Sequence, residues 1–373
     1  MKKMFGQPAK GFSRRTLLLA APALALCGIS LILGALRRDL VQRQDQQAAA
    51  RWAGDGSRCA QVSLFLDADN AFSPQRVQGI GVSMDDRLRE ESYRAAEGGR
   101  LWTYAAGCEE EGDASTDQGS CSVHVTAVQG DYFLFHPQQL LSGSTFLSSD
   151  VNHDTVVLDE LAAWQLFGSP DVTGRTVTVN GRCFVVCGVV AAPEDAAAVL
   201  TWGDKARVWV FFDALHEDSD PRLTFYEAVL PDAYTGYAQK QLQEVTGVPE
   251  TGCLTVENSA RYRPASLWKT LRQMERAGLH SDAVQLPWHE NAARLVQNRA
   301  ARLWGAQMVC LLYPVLLLLV WAVIAWRHRT WHLTDLKKAW DARVQRRLQA
   351  AWDAAEHPDA FGDNFGENET QQE

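Results

Sequence analysis

His124, His136 and His153, with Asp150, Asp154 and Asp159, are the obvious candidates between the two apolar runs for acid–base or metal chemistry. Such chemistry needs a nucleophile, a base and an orienting group in one place, or several donors at ligand spacing. Between residues 37 and 306 there is no His-x-x-x-His, no Gly-x-Ser-x-Gly and no Cys/His zinc spacing. His153-Asp154 stands beside one strand and His124 within another, as polar residues at strand ends do. No catalytic, cofactor-binding or metal residue is therefore expected. A phosphate-cradling Gly-x-x-x-x-Gly-Lys-Ser/Thr loop is also missing from the sequence, so this chain is not expected to hydrolyse ATP itself.

The other reactive groups are the eight cysteines. Cys27 and Cys310 fall in apolar runs, whereas Cys59, Cys108, Cys121, Cys183, Cys187 and Cys253 lie between them. An even number in an extracytoplasmic domain is compatible with a disulfide set. Cys108 and Cys121 bracket the acidic segment CEEEGDASTDQGSC, each at the end of a strand of one proposed hairpin, and are the expected pair. Closing a loop of that size would stabilise by roughly 3 kcal/mol in the chain-entropy account. Cys183 and Cys187 share one face of a strand and are too far apart along it to bond each other. Cys59 or Cys253 could partner them, or they could remain free thiols.

The apolar runs that divide these cysteines set the topology. Of 373 residues, 46% are hydrophobic, and the two densest runs lie near the chain ends. Residues 16–36 would span about 31 Å as a helix, enough for a bilayer core. Met308 to Trp326 is a similar run with aromatic residues toward both ends, as interfacial belts require. Lys2, Lys3, Lys10, Arg14 and Arg15 precede the first run. Arg327, Arg329, Lys337, Lys338, Arg343, Arg346 and Arg347 follow the second. Both flanks are thus expected in the cytoplasm, with the residues between the helices outside the cell or inner membrane. Ser13-Arg-Arg-Thr-Leu-Leu18 has the look of a twin-arginine export signal, with Ala23-Leu-Ala25 as a cleavage site and Cys27 as a lipoprotein cysteine. The apolar run goes on to Leu36, however, well past a signal core of roughly 7 to 15 residues, and Leu26 is too large for a lipoprotein site. An uncleaved anchor is the reading adopted. The formal charge of −9 argues against nucleic acid as a partner.

The organisation expected is a basic cytoplasmic lead (1–15), a first transmembrane helix (16–36), a stalk helix (37–56), an extracytoplasmic core domain (57–265), a return stalk (266–306), a second transmembrane helix (307–326) and a cytoplasmic tail (327–373). Ser30 and Gly34 form a small-residue pair that either admits another helix or simply faces lipid. Gln61–Leu66, Leu101–Ala106, Ser122–Val128, Val208–Phe212 and Ala228–Leu230 read as strands. Ser73-Pro74 opens a helix running to about Ala96. Tyr237–Val245 and Ser266–Ala277 read as helices, and Asn291–Leu303 as a polar helix continuing into the membrane. In the tail, Leu336, Trp340, Val344, Leu348 and Trp352 recur every four residues with basic residues on the other faces. This is an amphipathic basic helix for the inner membrane surface or for a cytoplasmic partner. Residues 357–373 are acidic and polar, the composition of a disordered end.

Between Val128 and Val190 the local signals are densest. Asp131–Phe135 is an aromatic lead-in, and Leu140, Leu141 and Gly143 make an apolar turn. Thr155–Leu158 is a buried strand, and Asp159 caps a helix over Glu160–Phe167 that Gly168 stops. After a turn at Val172–Gly174, strands Arg175–Val179 and Arg182–Val190 are joined by Asn180-Gly181, a pair that tolerates positive φ at both turn positions. This series resembles the extracytoplasmic core domain of MacB-type permeases of ABC transporters. The match is carried by Gly130-Asp-Tyr-Phe133, Leu141-x-Gly143, Val156-Val-Leu158, Ala163-Trp-Gln-Leu-Phe-Gly168, Gly174 with Thr176-Val177, and Asn180-Gly181 leading into Val185-Val-Cys-Gly-Val-Val190. The resemblance implies an α+β extracytoplasmic domain, mixed sheets with packed helices, between transmembrane helices. It implies no chemistry at these positions, which set a fold. It also implies membrane association, an ABC ATPase subunit or a further permease subunit as partner, and an extracytoplasmic protein as a possible contact. Family members have three helices after the domain, whereas this sequence has one returning run. The expected function is a membrane-anchored, permease-like subunit of an ABC-type complex; the alternative is an anchored binding or sensor module without an ATPase.

Overall fold

The computed structural model describes residues 14–42, 47–52, 58–94, 99–216, 222–249, 251–273, 284–327, 340–349 and 352, with side chains from residue 18 onward. Helix α1 (Arg14–Gln42) is followed by the short α2 (Ala48–Trp52) and strand β1 (Cys59–Leu66). Helix α3 (Pro74–Glu90) begins where expected, with Ser73 Oγ accepting from the Arg76 amide and Pro74 in the first turn. It ends at Glu90, earlier than expected; residues 95–98 lie outside the described set. Strands β2 (Thr103–Ser115) and β3 (Ser120–Gly130) lead to α4 (Tyr132–Phe135), β4 (Leu140–Gly143), β5 (Thr155–Asp159), α5 (Glu160–Phe167), β6 (Thr176–Val179) and β7 (Arg182–Val190). Next come α6 (Ala196–Trp202), β8 (Ala206–Phe211), α7 (Phe212–Leu215), β9 (Phe225–Pro231), α8 (Tyr237–Thr246) and β10 (Cys253–Glu257). A 3-10 turn (Asn258–Ala260), α9 (Pro264–Gln273) and the 40-residue α10 (Trp288–Arg327) complete the series.

Local chemistry explains the agreement in the middle of the chain. Asp159 Oδ1 accepts from the Ala162 amide at 2.7 Å, and Gly168 closes α5 in the left-handed region. Asn180 and Gly181 both have positive φ, 48° and 82°, as the two-residue turn between β6 and β7 requires. Two expectations are corrected here. Leu140, Leu141 and Gly143 are not a turn but β4, paired antiparallel with β7. The acidic segment between Cys108 and Cys121 is not a loop: β2 and β3 stay paired as far as Ser115 and Ser120. That register sets Cys108 opposite Ala127 and Cys121 opposite Ala114, so the two cysteines lie well apart along the ribbon and the expected disulfide does not form. Cys108 and Cys121 are both free thiols.

Strand order is β10-β1-β9-β2-β3-β8-β5-β7-β4, with β6 bridging β2 and β7. The first four strands are a split βαββαβ unit: β9 inserts antiparallel between β1 and β2, and α3 and α8 are its two crossovers. Everything from β3 to β8 is inserted between the unit's second and third strands. Together with β2, strands β3, β8, β5, β7 and β6 of the insertion pair in a closed ring, and β4 is added at its side by pairing with β7. The two faces of β1 are both covered. Val62, Leu64 and Leu66 pack with Val77, Met84 and Leu88 of α3 and Leu242 of α8. Phe65 faces the opposite layer, with Phe225, Tyr132, Phe135, Trp209 and Trp288. Gln61 and Ser63 share the face of Phe65 by the period-two rule and are fully buried, so that layer contains polar groups that must be satisfied internally.

Residues 28–310 form one compact unit; residues 1–27 with 311–373 form another. In the first, Gly34 of α1 stands so near α10 that a Cβ there would meet Gln307 Nε2 at 3.0 Å, so the small residue does admit a neighbouring helix. In the second, the Tyr313 hydroxyl donates to the Leu19 carbonyl at 3.1 Å. Both α1 and α10 are long and apolar enough to cross a membrane. Their outward leucines, such as Leu24 at 72% and Leu318 at 65% exposure, fit contact with lipid rather than water.

Candidate functional site

The polar groups on the Phe65 side of the sheet converge on Glu227. Its strand, β9, is buried along its whole length, so a carboxylate at its centre needs partners. Register places Ser63 of β1 directly opposite Glu227, and the Ser63 hydroxyl donates to Glu227 Oε1. Asn258, in the 3-10 turn after β10, donates to Ser63 Oγ at 2.7 Å. His136, which ends α4, sets Nε2 2.5 Å from Glu227 Oε2. His289, in the first turn of α10, lies over His136 with ring centroids 3.9 Å apart. The walls are aromatic: Phe65, Tyr132, Phe225 and Trp288 all meet the His289 ring.

Glu227, His136 and His289 are each at most 3% exposed. Burial alone would raise the Glu227 carboxyl, but the charge and hydrogen bond of His136, with help from His289 and Ser63, hold it down to about 2. His289 goes the other way. Burial, and then the His136 imidazole beside it, keep it well below the ordinary imidazole range. Neither His289 ring nitrogen has a hydrogen-bond partner.

Next to this centre a second buried pair fixes the same helix. Arg261 Nη2 donates to Glu290 Oε1 at 2.5 Å, both side chains being 2% exposed, and Arg294 joins the same oxygen at 3.0 Å. Asn258 and Arg261, three residues apart in one turn, therefore hold the Ser63–Glu227 pair and the root of α10 respectively. Trp288 completes the attachment. Its ring lies 4.6 Å from that of Trp202, and the Arg207 guanidinium stands over both indoles. A cleft of about 500 Å³ opens beside Arg261 and Glu290 but is not lined by His136, Glu227 or His289. A base this deep meets no substrate, so the arrangement suits fastening better than acid–base catalysis. A long helix is pinned at its first turn to the middle of a sheet.

Of the side chains expected to matter from sequence, only His136 belongs to this centre. His124 stays on β3. His153 is bound to Asp213 at 2.6 Å and stacks on Phe211. Asp150 accepts from the Leu147 amide and the Asp154 carbonyl from the Val185 amide, so both close loops. Glu227 and His289 were missed, although a lone Glu in the apolar run Phe225-Tyr-Glu-Ala-Val-Leu230 was a legible sign of a buried charge. In the tail, residues 340–349 and 352 are helical, and Trp340, Val344, Leu348 and Trp352 are exposed, from 41% to 70%; Leu336 lies outside the described residues.

Asp159 is the remaining candidate, and it yields a pH prediction. Burial lifts its carboxyl from 3.8 to about 6 in spite of the cap bond from Ala162. The folded state thus holds the proton more tightly than the unfolded chain does, and stability falls as pH rises from about 4 to about 6. Asn caps helices as well as Asp does and carries no charge. Asp159→Asn is expected to stabilise at pH 7.5 by up to about 3 kcal/mol, with the gain vanishing by about pH 4. Thermal melts of the detergent-solubilised chain across that range check it; a gain independent of pH would contradict it.

The sequence matches the family described as the MacB-like periplasmic core domain over residues 55–245. No curated protein matches the chain. Among solved structures, it is similar to the extracellular domain of the noncanonic ABC-type transporter YknZ from Gram-positive bacteria, with 13% identity, 53% of this chain and 100% of that one covered, and a TM-score of 0.37. It is also similar to the periplasmic region of MacB from Actinobacillus actinomycetemcomitans, with 16% identity, 58% and 93% coverage, and a TM-score of 0.38. A domain of a putative permease protein from Porphyromonas gingivalis is a third likeness, with 13% identity, 53% and 88% coverage, and a TM-score of 0.31.

Proposed function

The chain belongs to the MacB-like periplasmic core domain family, and from that premise we propose that it is a membrane-anchored, permease-like subunit of an ABC-type transport complex whose outer domain contacts substrate or a partner protein. The observation that carries this reading is the continuity of α10. Its first turn is locked into the core of the domain by Trp288, His289 and Glu290, and the same helix runs on without a break to Arg327 through an apolar span. The folded domain and the apolar span are thus parts of one continuous helix, the kind of link through which a movement could pass. The basic flanks support both termini in the cytoplasm and the domain, residues 57–265, outside the inner or plasma membrane. No phosphate-binding loop occurs in this sequence, so the ATPase activity such a complex needs lies outside these 373 residues. The exposed Trp340, Val344, Leu348 and Trp352 stripe, with Leu336, is its cytoplasmic membrane or partner surface.

One observation favours a second reading. Among the described residues only two helices can cross a membrane, which suits an anchored binding or sensor module that works without an ATPase. Purification from native membranes in mild detergent separates the two. The first reading expects stoichiometric co-purification of an ABC ATPase, lost when residues 327–373 are deleted. Complexes that repeatedly lack any ATPase would overturn it in favour of the module.

A further inference from the structure

His289 poses a problem that the fastening role leaves unsolved. An imidazole 3% exposed, with both nitrogens unpartnered, forfeits hydrogen bonds that water would give it. A phenylalanine would fill the same aromatic box of Phe65, Tyr132 and Phe225 without that penalty. What distinguishes the histidine is a lone pair, and it is aimed at company. One ring nitrogen of His289, one of His136 and a carboxylate oxygen of Glu227 all lie within 4.8 Å of one another.

We propose that His136, Glu227 and His289 form a binding site for a divalent transition-metal ion of the imidazole-preferring class, with zinc the reference ion, and that this ion ties the root of α10 to the sheet. Two imidazoles and a carboxylate are a donor set such ions accept at about 2.0–2.2 Å per bond. The ion takes the place of the proton between His136 Nε2 and Glu227 Oε2. That proton is released to solvent, and the two atoms, now 2.5 Å apart, separate to ligand spacing. His289 gains the partner it lacks. Ser63, bonded to the other Glu227 oxygen and held by Asn258, orients the carboxylate, as outer hydrogen bonds do around metal ligands. The three ligands come from α4, β9 and α10, so the bond joins elements far apart in the chain. With all three ligands at most 3% exposed, the role is structural rather than catalytic. This assignment stands apart from the transporter reading and would survive its loss.

A second donor group exists at Cys108, Glu110 and His216, on β2 and at the end of α7, and the test must tell the two apart. The full-length chain, carrying a tag that binds no metal and purified in detergent without chelators, is expected to hold about one equivalent of metal by mass spectrometry. His289→Phe is expected to lower that content at least tenfold while leaving the circular dichroism of the domain unchanged. Protein produced with Co²⁺ is expected to show the visible bands of imidazole–carboxylate coordination without sulfur charge transfer, a readout that needs no variant. Overturning results are a folded wild-type chain with under a tenth of an equivalent of any such ion, full metal retention in His289→Phe, or sulfur charge transfer in the cobalt spectrum, which would place the ion at Cys108.

Discussion

Glu227→Gln is expected to lower the melting temperature of the outer domain by on the order of 10 °C. The variant keeps the shape of the side chain and removes its charge. His136 then loses the partner whose charge balances it at 2.5 Å, inside a layer where neither group reaches water. Breaking a buried pair from one side typically costs about 3–5 kcal/mol, because the surviving charge has no compensation. For a domain of this size each kcal/mol moves the midpoint by roughly 2–4 °C. Ser63→Ala is the internal scale. It removes one hydroxyl that donates to Glu227 and accepts from Asn258, and is expected to cost only about 1–2 kcal/mol. If Glu227→Gln melts within a degree or two of wild type, the centre is not the fastening described above. The pair Glu227→Leu with His136→Leu adds a further check. Removing both partners of a buried ion pair together is often close to neutral, so the double variant is expected to be clearly more stable than Glu227→Gln.

That centre shows why the sequence was legible in one region and opaque in another. Between Asp159 and Val190 the structure is written in short-range chemistry: a cap, a left-handed glycine, an Asn-Gly turn. Each is decided by residues within a few positions, and each was readable. Strand β1 illustrates the opposite case. Its alternation of Gln61 and Ser63 with Val62 and Leu64 is what a strand with one wet face shows. The polar face is instead covered by α4 and the first turn of α10, brought there from elsewhere in the chain. Nothing local distinguishes a polar residue facing water from one facing a buried carboxylate. The Cys108–Cys121 expectation failed for a related reason. Acidic and Gly-Ser-Thr-rich composition suggested a loop, but the Asn180 side-chain amide donates to Glu110 and its oxygen accepts from the Asp113 amide, so long-range pairing holds the ribbon extended. A register shift of several residues in a hairpin is invisible to composition and decisive for a disulfide.

The root of α10 gives the second large effect, and it is one of location as well as size. Arg261→Met leaves Glu290, 2% exposed, with the partly exposed Arg294 as its cationic partner among the described residues. About 2–4 kcal/mol of attachment is expected to be lost, less than for a fully orphaned charge because Arg294 remains. The loss should be confined to the joint. Core packing of β1, β9 and α3 does not use Arg261, so their amides should keep their slow hydrogen exchange, whereas amides of residues 288–296 should exchange about ten- to a hundredfold faster. Arg294→Met, which removes the more exposed of the two partners, is expected to change exchange at the same amides several-fold at most. Uniform acceleration across the whole domain in Arg261→Met would mean that the pair supports the fold generally rather than the joint. Protection unchanged at 288–296 would mean that Trp288, packed on Trp202 beneath Arg207, holds the helix by itself. A localised loss, in contrast, leaves a folded outer domain and an intact membrane helix joined by a loosened first turn. If the transport-subunit reading proposed above holds, this variant should assemble normally and fail to transport.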